Sequence, residues 1–363
     1  MPGAPSDENV LFLISKIFFR FENHPAHYQL EPLSKIKKLR QPRIAMPNHK
    51  SLSIIMKTQN QSQPRFRSTF PLCSSSARLH FIAGLVLLWG ACVATAGDVF
   101  LKANDAANTS SITGSTNWNP AGVPSPGNTY YTTNAAGVGL LLRTPTGLVS
   151  NVFGGDALVL CTNLNSDSLT IKGNQGSTIV INNLIMAGGS VANGASSANA
   201  NTTNTLAGFI NVVAGSRFNP TSAGRAIVVA AAITNGVSPI TNQNPGAVWF
   251  LGANSGFTGK MVANAGCPVF ITNQFNLGGN PASFTADQLL LDNGILQVTN
   301  SISLDDANRG VTLSAGGGRF DVGSDATLTL PNPIVGGEKL TKTSAGTLIL
   351  NGANSYSNGT VIS

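Results

Sequence analysis

Between Leu340 and Ser363 the chain carries a unit that cannot fold by itself. Two short runs, Leu340-Thr341-Lys342-Thr343 and Thr347-Leu348-Ile349-Leu350, are followed by a Gly/Asn-rich corner, Asn351-Gly352-Ala353-Asn354. A unit of this size has one apolar face and nothing of its own to bury it against, so it is stabilised only by stacking on further units. A weaker copy stands about a hundred residues earlier, from Leu251 to Val262. It shares the Gly-Ala-Asn-Ser core, an aromatic residue and a second glycine. Such a chain is constrained towards a solenoid.

The remainder of the sequence past Gly97 agrees. No window of eleven or more residues holds a helical period. Strand-sized apolar runs recur instead, among them Ala157–Cys161, Thr178–Ile181, Phe209–Val213, Ala226–Val229, Ala247–Leu251, Pro268–Thr272, Gln288–Leu291, Gly310–Leu313, Ala326–Leu330 and Thr347–Leu350. Each is rich in β-branched residues or leucine and is bounded by Gly, Asn, Ser or Pro. From Ala226 onward the major runs fall about 20 residues apart.

Two architectures accept that pattern. A β-sandwich would need alternating hairpins with turn pairs every 8–12 residues. A right-handed parallel β-helix takes about 20 or more residues per coil, with corners at which Asn and Gly tolerate left-handed backbone angles. Like side chains stacked in successive coils also form ladders. The spacing and the internal copy favour an all-β parallel β-helix over residues 151–363, preceded by a β-rich and looped segment at 97–150.

Charge divides the chain. The formal net charge is +7, yet residues 1–80 hold 12 of the 22 Lys and Arg and only 4 of the 15 Asp and Glu. The remainder, with 10 basic and 11 acidic residues, is close to neutral at −1. The basic character belongs to the leader, which removes the main support for a nucleic-acid partner. Residues 1–77 read as a basic, disordered extension. Met46 or Met56 would open a more ordinary leader, so the first 45 residues are either a mis-called start or part of that extension.

Residues 78–96 have the parts of a secretory signal: basic flank, an apolar run of about 13 residues as one short helix, and Ala94-Thr95-Ala96 as a small-x-small cleavage site. The alternative is an uncleaved anchor at 81–93. That run is shorter than the roughly 20 residues a membrane-spanning helix needs.

All four histidines (His24, His27, His49, His80) lie upstream of the mature start, so His-dependent triads and His-ligated zinc have no residues to use there. No cofactor or metal is expected. Cys161 and Cys267, about five coils apart, would be separated by about 24 Å at a strand spacing of 4.8 Å, too far for a disulfide. They read as buried small apolar residues of separate rungs. Gly316–Asp325 holds one imperfect echo of a Gly/Asp calcium repeat, and is read as a plain turn.

The sharper chemical hypothesis is a polysaccharide lyase or glycosidase. Asp292, Asp305, Asp306, Arg309, Arg319, Asp321 and Asp325 cluster in sequence, and paired carboxylates, or a carboxylate with a cation, are what such reactions need. Asp305, Asp306, Asp321 and Arg319 would be the catalytic candidates. The plainer reading has Asp305-Asp306 cap a turn and the rest solvate corners. Trp118, Trp249, Tyr130, Tyr131 and Tyr356 would either stack on sugars in a secreted carbohydrate-binding module or fill the core and its ends.

Residues 336–363 resemble the autotransporter-associated β-strand repeat (passenger-associated transport repeat) of large secreted bacterial proteins. Leu340, Thr341, Lys342, Gly346, Thr347, Leu348, Leu350, Gly352, Ala353, Asn354, Tyr356, Ser357, Gly359 and Thr360 fit its pattern. Asn117–Asn128 resembles the segment that often opens such passengers. The resemblance implies a β-helix displayed outside the cell with a structural or adhesive role and no catalysis, in contact with surface glycans or other cells. Such passengers are sometimes delivered by a C-terminal outer-membrane barrel, and none stands before Ser363. We expect a truncated product or fragment.

Overall fold

The computed structural model describes residues 11–14, 17–20, 97–147, 150–164, 166–194 and 201–363. The signal segment 78–96, with its expected helix, and the rest of the leader lie outside the described residues. Within the leader, Leu11–Ile14 and Ile17–Arg20 pair antiparallel, an element not expected from the sequence. Two apolar runs separated by only Ser15 and Lys16 have the spacing of a tight hairpin. This pair belongs to one compact unit, Met1–Leu85, and the rest of the described chain to a second, Val86–Ser363.

The second unit is a parallel β-solenoid. Three sheets run along it, of 15, 9 and 3 strands. The first carries Ala226–Val229, Ala247–Phe250, Pro268–Ile271, Gly294–Val298, Gly318–Val322, Leu340–Thr343 and Thr360–Ile362 as successive rungs. The nine-stranded sheet sets the length at about nine coils, from Leu142–Arg143 to Ile334–Gly336. The third, Ile302–Ser303, Thr327–Leu330 and Thr347–Leu350, covers the remaining face of the last coils. Among the described residues the helical content is one 3-10 turn, Gln274–Leu277.

Register explains why the apolar runs need one another. Ile227, Val248, Val269, Leu296 and Phe320 are successive partners in the first sheet, and all are buried. Ile240, Met261, Leu289, Val311 and Ile334 form the corresponding column of the nine-stranded sheet, also buried. Each inward Val, Leu, Ile or Met contributes about 1.5–3 kcal/mol relative to exposure, and one coil has only a few such positions. A single coil is therefore unstable and a stack is not.

The coils are less uniform than expected. Paired residues are 21 apart at Ala226 and Ala247, 27 at Val269 and Leu296, 24 at Ile295 and Arg319, and 20 at Leu340 and Thr360. The 27-residue coil holds the 3-10 turn and the loop after it, and the first coil, from Gly97 to Asn128, is longer still at 31. Extra residues leave the stack as a bulging corner, because the sheets on either side keep their pairing.

One end of the stack is closed. Trp118–Asn119 pairs antiparallel with Gly97–Leu101 and ends the first sheet. Trp118 is fully buried, edge-on to Tyr130 at 4.9 Å, and Tyr130 in turn meets Phe153 at 5.3 Å. The indole Nε1 donates to the Ser111 carbonyl at 2.7 Å. Beneath it the buried Asp105 carboxylate accepts from the Ser111 N–H and hydroxyl, the Asn117 amide and the Arg143 N–H, at 2.6–2.9 Å. Asn117–Asn128 thus helps to cap the solenoid and shield its first rung.

Candidate binding surface

The Asp/Arg cluster divides between two places. Asp305 and Asp306 sit on the turn between Ile302–Ser303 and Arg309–Leu313. Arg309 points inward and is 1% exposed. Its guanidinium pairs with Asp306 at 2.7 Å and donates to the carbonyls of Leu277, Gly278 and Gly279 at 2.9–3.2 Å. These carbonyls end the 3-10 turn one coil earlier, so the cation satisfies acceptors that the irregular corner leaves without sheet partners. Asp305 accepts from the Gln274 amide at 2.7 Å, and the Gln274 carbonyl accepts the Asp305 and Asp306 N–H groups.

Arg319 and Asp321 stand elsewhere, outward on the strand Gly318–Val322. Asp321 accepts from the Ser344 hydroxyl and from the Gln297 amide. No hydrogen bond or ion pair joins Asp305 or Asp306 to Asp321 or Arg319 among the described residues. Asp292 accepts the Gly316 N–H at 3.3 Å, and Asp325 accepts from Ser324 at 3.3 Å. These contacts tie turns and adjacent coils together.

The repeat residues serve the stack as well. Leu340 and Lys342 face inward, and Lys342 continues the column after Phe320. Its ammonium donates to the carbonyls of Thr343 and Ser344, so the stem covers the core while the charge is held at its edge. Thr347 and Leu348 lie over Thr327 and Leu328. Tyr356 packs against the core from a half-buried position, with its hydroxyl 2.8 Å from that of Thr360. Gly346, Gly352 and Gly359 occupy the turns, Ala353 is exposed between them, and Thr341 faces outward beside Arg319.

Of the other aromatic candidates, Trp118 and Tyr130 are core, and Tyr131 stacks on Phe100 at 5.0 Å. Trp249 faces outward, 36% exposed, against Phe270 at 5.4 Å. The cysteines are both free. Cys267 is buried as expected, and burial pushes its thiol up to about 12. Cys161 is only half-buried, because it closes its strand at a corner; burial raises its pKa as well.

Among the described residues, two grooves on the outside bear on the site. One, of about 250 Å³, is lined by Gly294, Gly317, Gly318, Arg319, Lys339 and Thr341 among others. The other, of about 320 Å³, lies where the chain leaves the first sheet after Phe250. Its floor is Gly252 and Ala253 and its sides are Leu251 and Phe275, with Ser255 and Asn273 at the rim. Phe275 and Leu251 are 51% and 41% exposed. Sequence reasoning missed Phe275 and Phe209, since a lone phenylalanine in an irregular coil gives no sign of facing out.

Taken together, these features define a capped parallel β-solenoid whose carboxylates brace its corners and whose accessible features are shallow grooves along its sides. Residues 340–363 match the family model of the passenger-associated-transport-repeat, which bears out the resemblance over that stretch. Among curated proteins, the adhesin BmaC autotransporter of Brucella suis biovar 1 (strain 1330) is 36% identical over 118 residues. That alignment covers 31% of this chain and 3% of the relative, so the chain spans a small part of that protein's length. No solved structure matches.

Proposed function

We propose that this chain is a surface-displayed passenger segment with an adhesive or structural role, exported through the signal at 78–96. The observation that carries the reading is the stacked, capped solenoid ending in a passenger-associated-transport-repeat, and the similarity to an autotransporter adhesin supports it. The mechanism is geometric and not catalytic. A stiff stack of coils repeats shallow contact surfaces along its length, so weak contacts add through effective concentration. Its near-neutral charge past residue 80 suits cell-surface partners better than nucleic acid.

Expression of the full chain in a heterologous bacterium tests this. Cells carrying it should expose it to externally added protease and adhere more strongly to host-cell or glycan-coated surfaces than cells without it. A product that stays inside, or adhesion that does not change, overturns the reading. So does release of reducing ends or unsaturated products from glycans that is abolished by replacing Asp305, Asp306 or Asp321.

A further inference from the structure

One row of outward side chains crosses the face that the third sheet leaves bare. Phe209 is paired with Ala232 in the next coil. Ala253 follows, because Ile233 donates its N–H to the Asn254 side chain and Gly236 bridges Phe257 with the same offset. Phe275 comes next, since Asn254 donates its N–H to the Phe275 carbonyl. The row thus reads Phe209, Ala232, Ala253, Phe275. Its two phenylalanines are 54% and 51% exposed, and two alanines lie between them. Three coil steps of about 4.8 Å put the aromatic walls about 14 Å apart.

We propose that this trough binds a short stretch of a neutral glycan, which deepens the adhesive reading above and rests on it. Three properties select that ligand. No charged side chain lines the 320 Å³ groove at the Ala253 and Phe275 end of the row, so an ionic ligand finds no counter-charge there. Exposed aromatic faces bordered by hydroxyl and amide groups offer an apolar plane with polar groups beside it. That combination matches the C–H face and hydroxyl rim of a sugar ring. An extended peptide is disfavoured, because it adds to a sheet through an unpaired edge. Here the backbone groups of neighbouring coils already bond one another, as Asn254 to Phe275 and Phe257 to Gly279 show. The alanines keep the space between the walls low, so successive sugar rings of one chain can reach from one phenylalanine to the other.

The test uses the full chain, titrated calorimetrically with cellohexaose and chitohexaose, and with polygalacturonate as an anionic probe. At least one neutral oligosaccharide should bind, and Phe275→Ala and Phe209→Ala should each weaken it about tenfold. Arg319→Ala, in the separate basic groove, should leave it unchanged. Both phenylalanines are half exposed, and unchanged melting curves verify that the variants fold. Binding that resists both phenylalanine replacements, or a preference for polygalacturonate lost with Arg319→Ala, overturns the proposal. If displayed cells adhere while no neutral oligosaccharide binds, the trough assignment falls and the adhesive role stands. If neutral oligosaccharides bind but displayed cells do not adhere, the adhesive role falls and the trough stands.

Discussion

The side-chain carbonyl of Asn254 accepts the backbone N–H of Ile233, one coil earlier, at 2.8 Å. Asn354 does the same to Ile334, also at 2.8 Å. The glycine two residues before each asparagine lies against the previous coil: a Cβ on Gly252 would come within 2.1 Å of the Ala231 carbonyl oxygen, and one on Gly352 within 2.4 Å of Asn332. Both copies of Gly-Ala-Asn-Ser are therefore the same device, in which glycine permits close approach and asparagine replaces a missing sheet bond. They stand at different corners of the coil, the first after a rung of the long sheet and the second after a rung of the three-stranded one.

Removing the amide exposes the device to measurement. Asn254 is fully buried and also donates to the Asn276 carbonyl at 2.7 Å. Asn254→Ala should destabilise the fold by about 1–3 kcal/mol, because it orphans a buried donor and a buried acceptor. Hydrogen exchange at the Ile233 amide should accelerate while that at distant rungs does not. The half-buried Asn354 should show the smaller loss.

Asp306 and Arg309 form a buried pair, with side chains 11% and 1% exposed. Removing the acid leaves the cation uncompensated, so Asp306→Ala should cost about 3–5 kcal/mol. Asp305 is exposed, and Asp305→Ala should cost about 0.5 kcal/mol or less. Denaturant unfolding of the two variants separates a corner brace from a pair of equivalent surface carboxylates.

The cap makes a similar contrast between tryptophans. Trp118→Ala should cost about 3–5 kcal/mol by opening the buried end of the stack. Trp249→Ala, on the outer face, should change stability far less. Thermal melts of both variants check this, and the first rungs should lose exchange protection first in Trp118→Ala.

Burial holds the Cys267 thiol protonated, with its pKa pushed up to about 12 from 9.0. A raised acid pKa means that the unfolded chain loses the proton first. The contribution is therefore fully present below pH 9 and falls as pH rises from about 9 towards 12. Cys267→Ala should flatten that part of the stability profile. In the folded protein at pH 8 a maleimide should modify the half-buried Cys161 before Cys267, as mass spectrometry of the labelled peptides would show.

Leu348, Val248 and Val269 announce their coils by run length and flanking Gly or Asn, so the solenoid and its repeat were legible from residue order. So was the stacking of the last unit on its neighbours, because a face as small as Thr347–Leu350 has no other way to be buried. Corner asparagines were expected to act through left-handed backbone angles. Asn244 and Asn293 do adopt them, with φ of 73° and 52°. Asn254 and Asn354 instead use their side-chain amides, a choice that depends on which coil lies beneath.

The amino-acid sequence by itself determined that this chain stacks, since its apolar runs are too short to bury themselves and too regular to be loops. It also determined where the passenger repeat lies. Only the tertiary structure decided that Arg309 turns inward onto three carbonyls, that Trp118 plugs one end, and that Phe209 and Phe275 share one row. Coils of 20 to 31 residues bring different sequence offsets into register. Which side chains become neighbours is therefore set by how much chain each corner absorbs, a quantity that local composition does not encode.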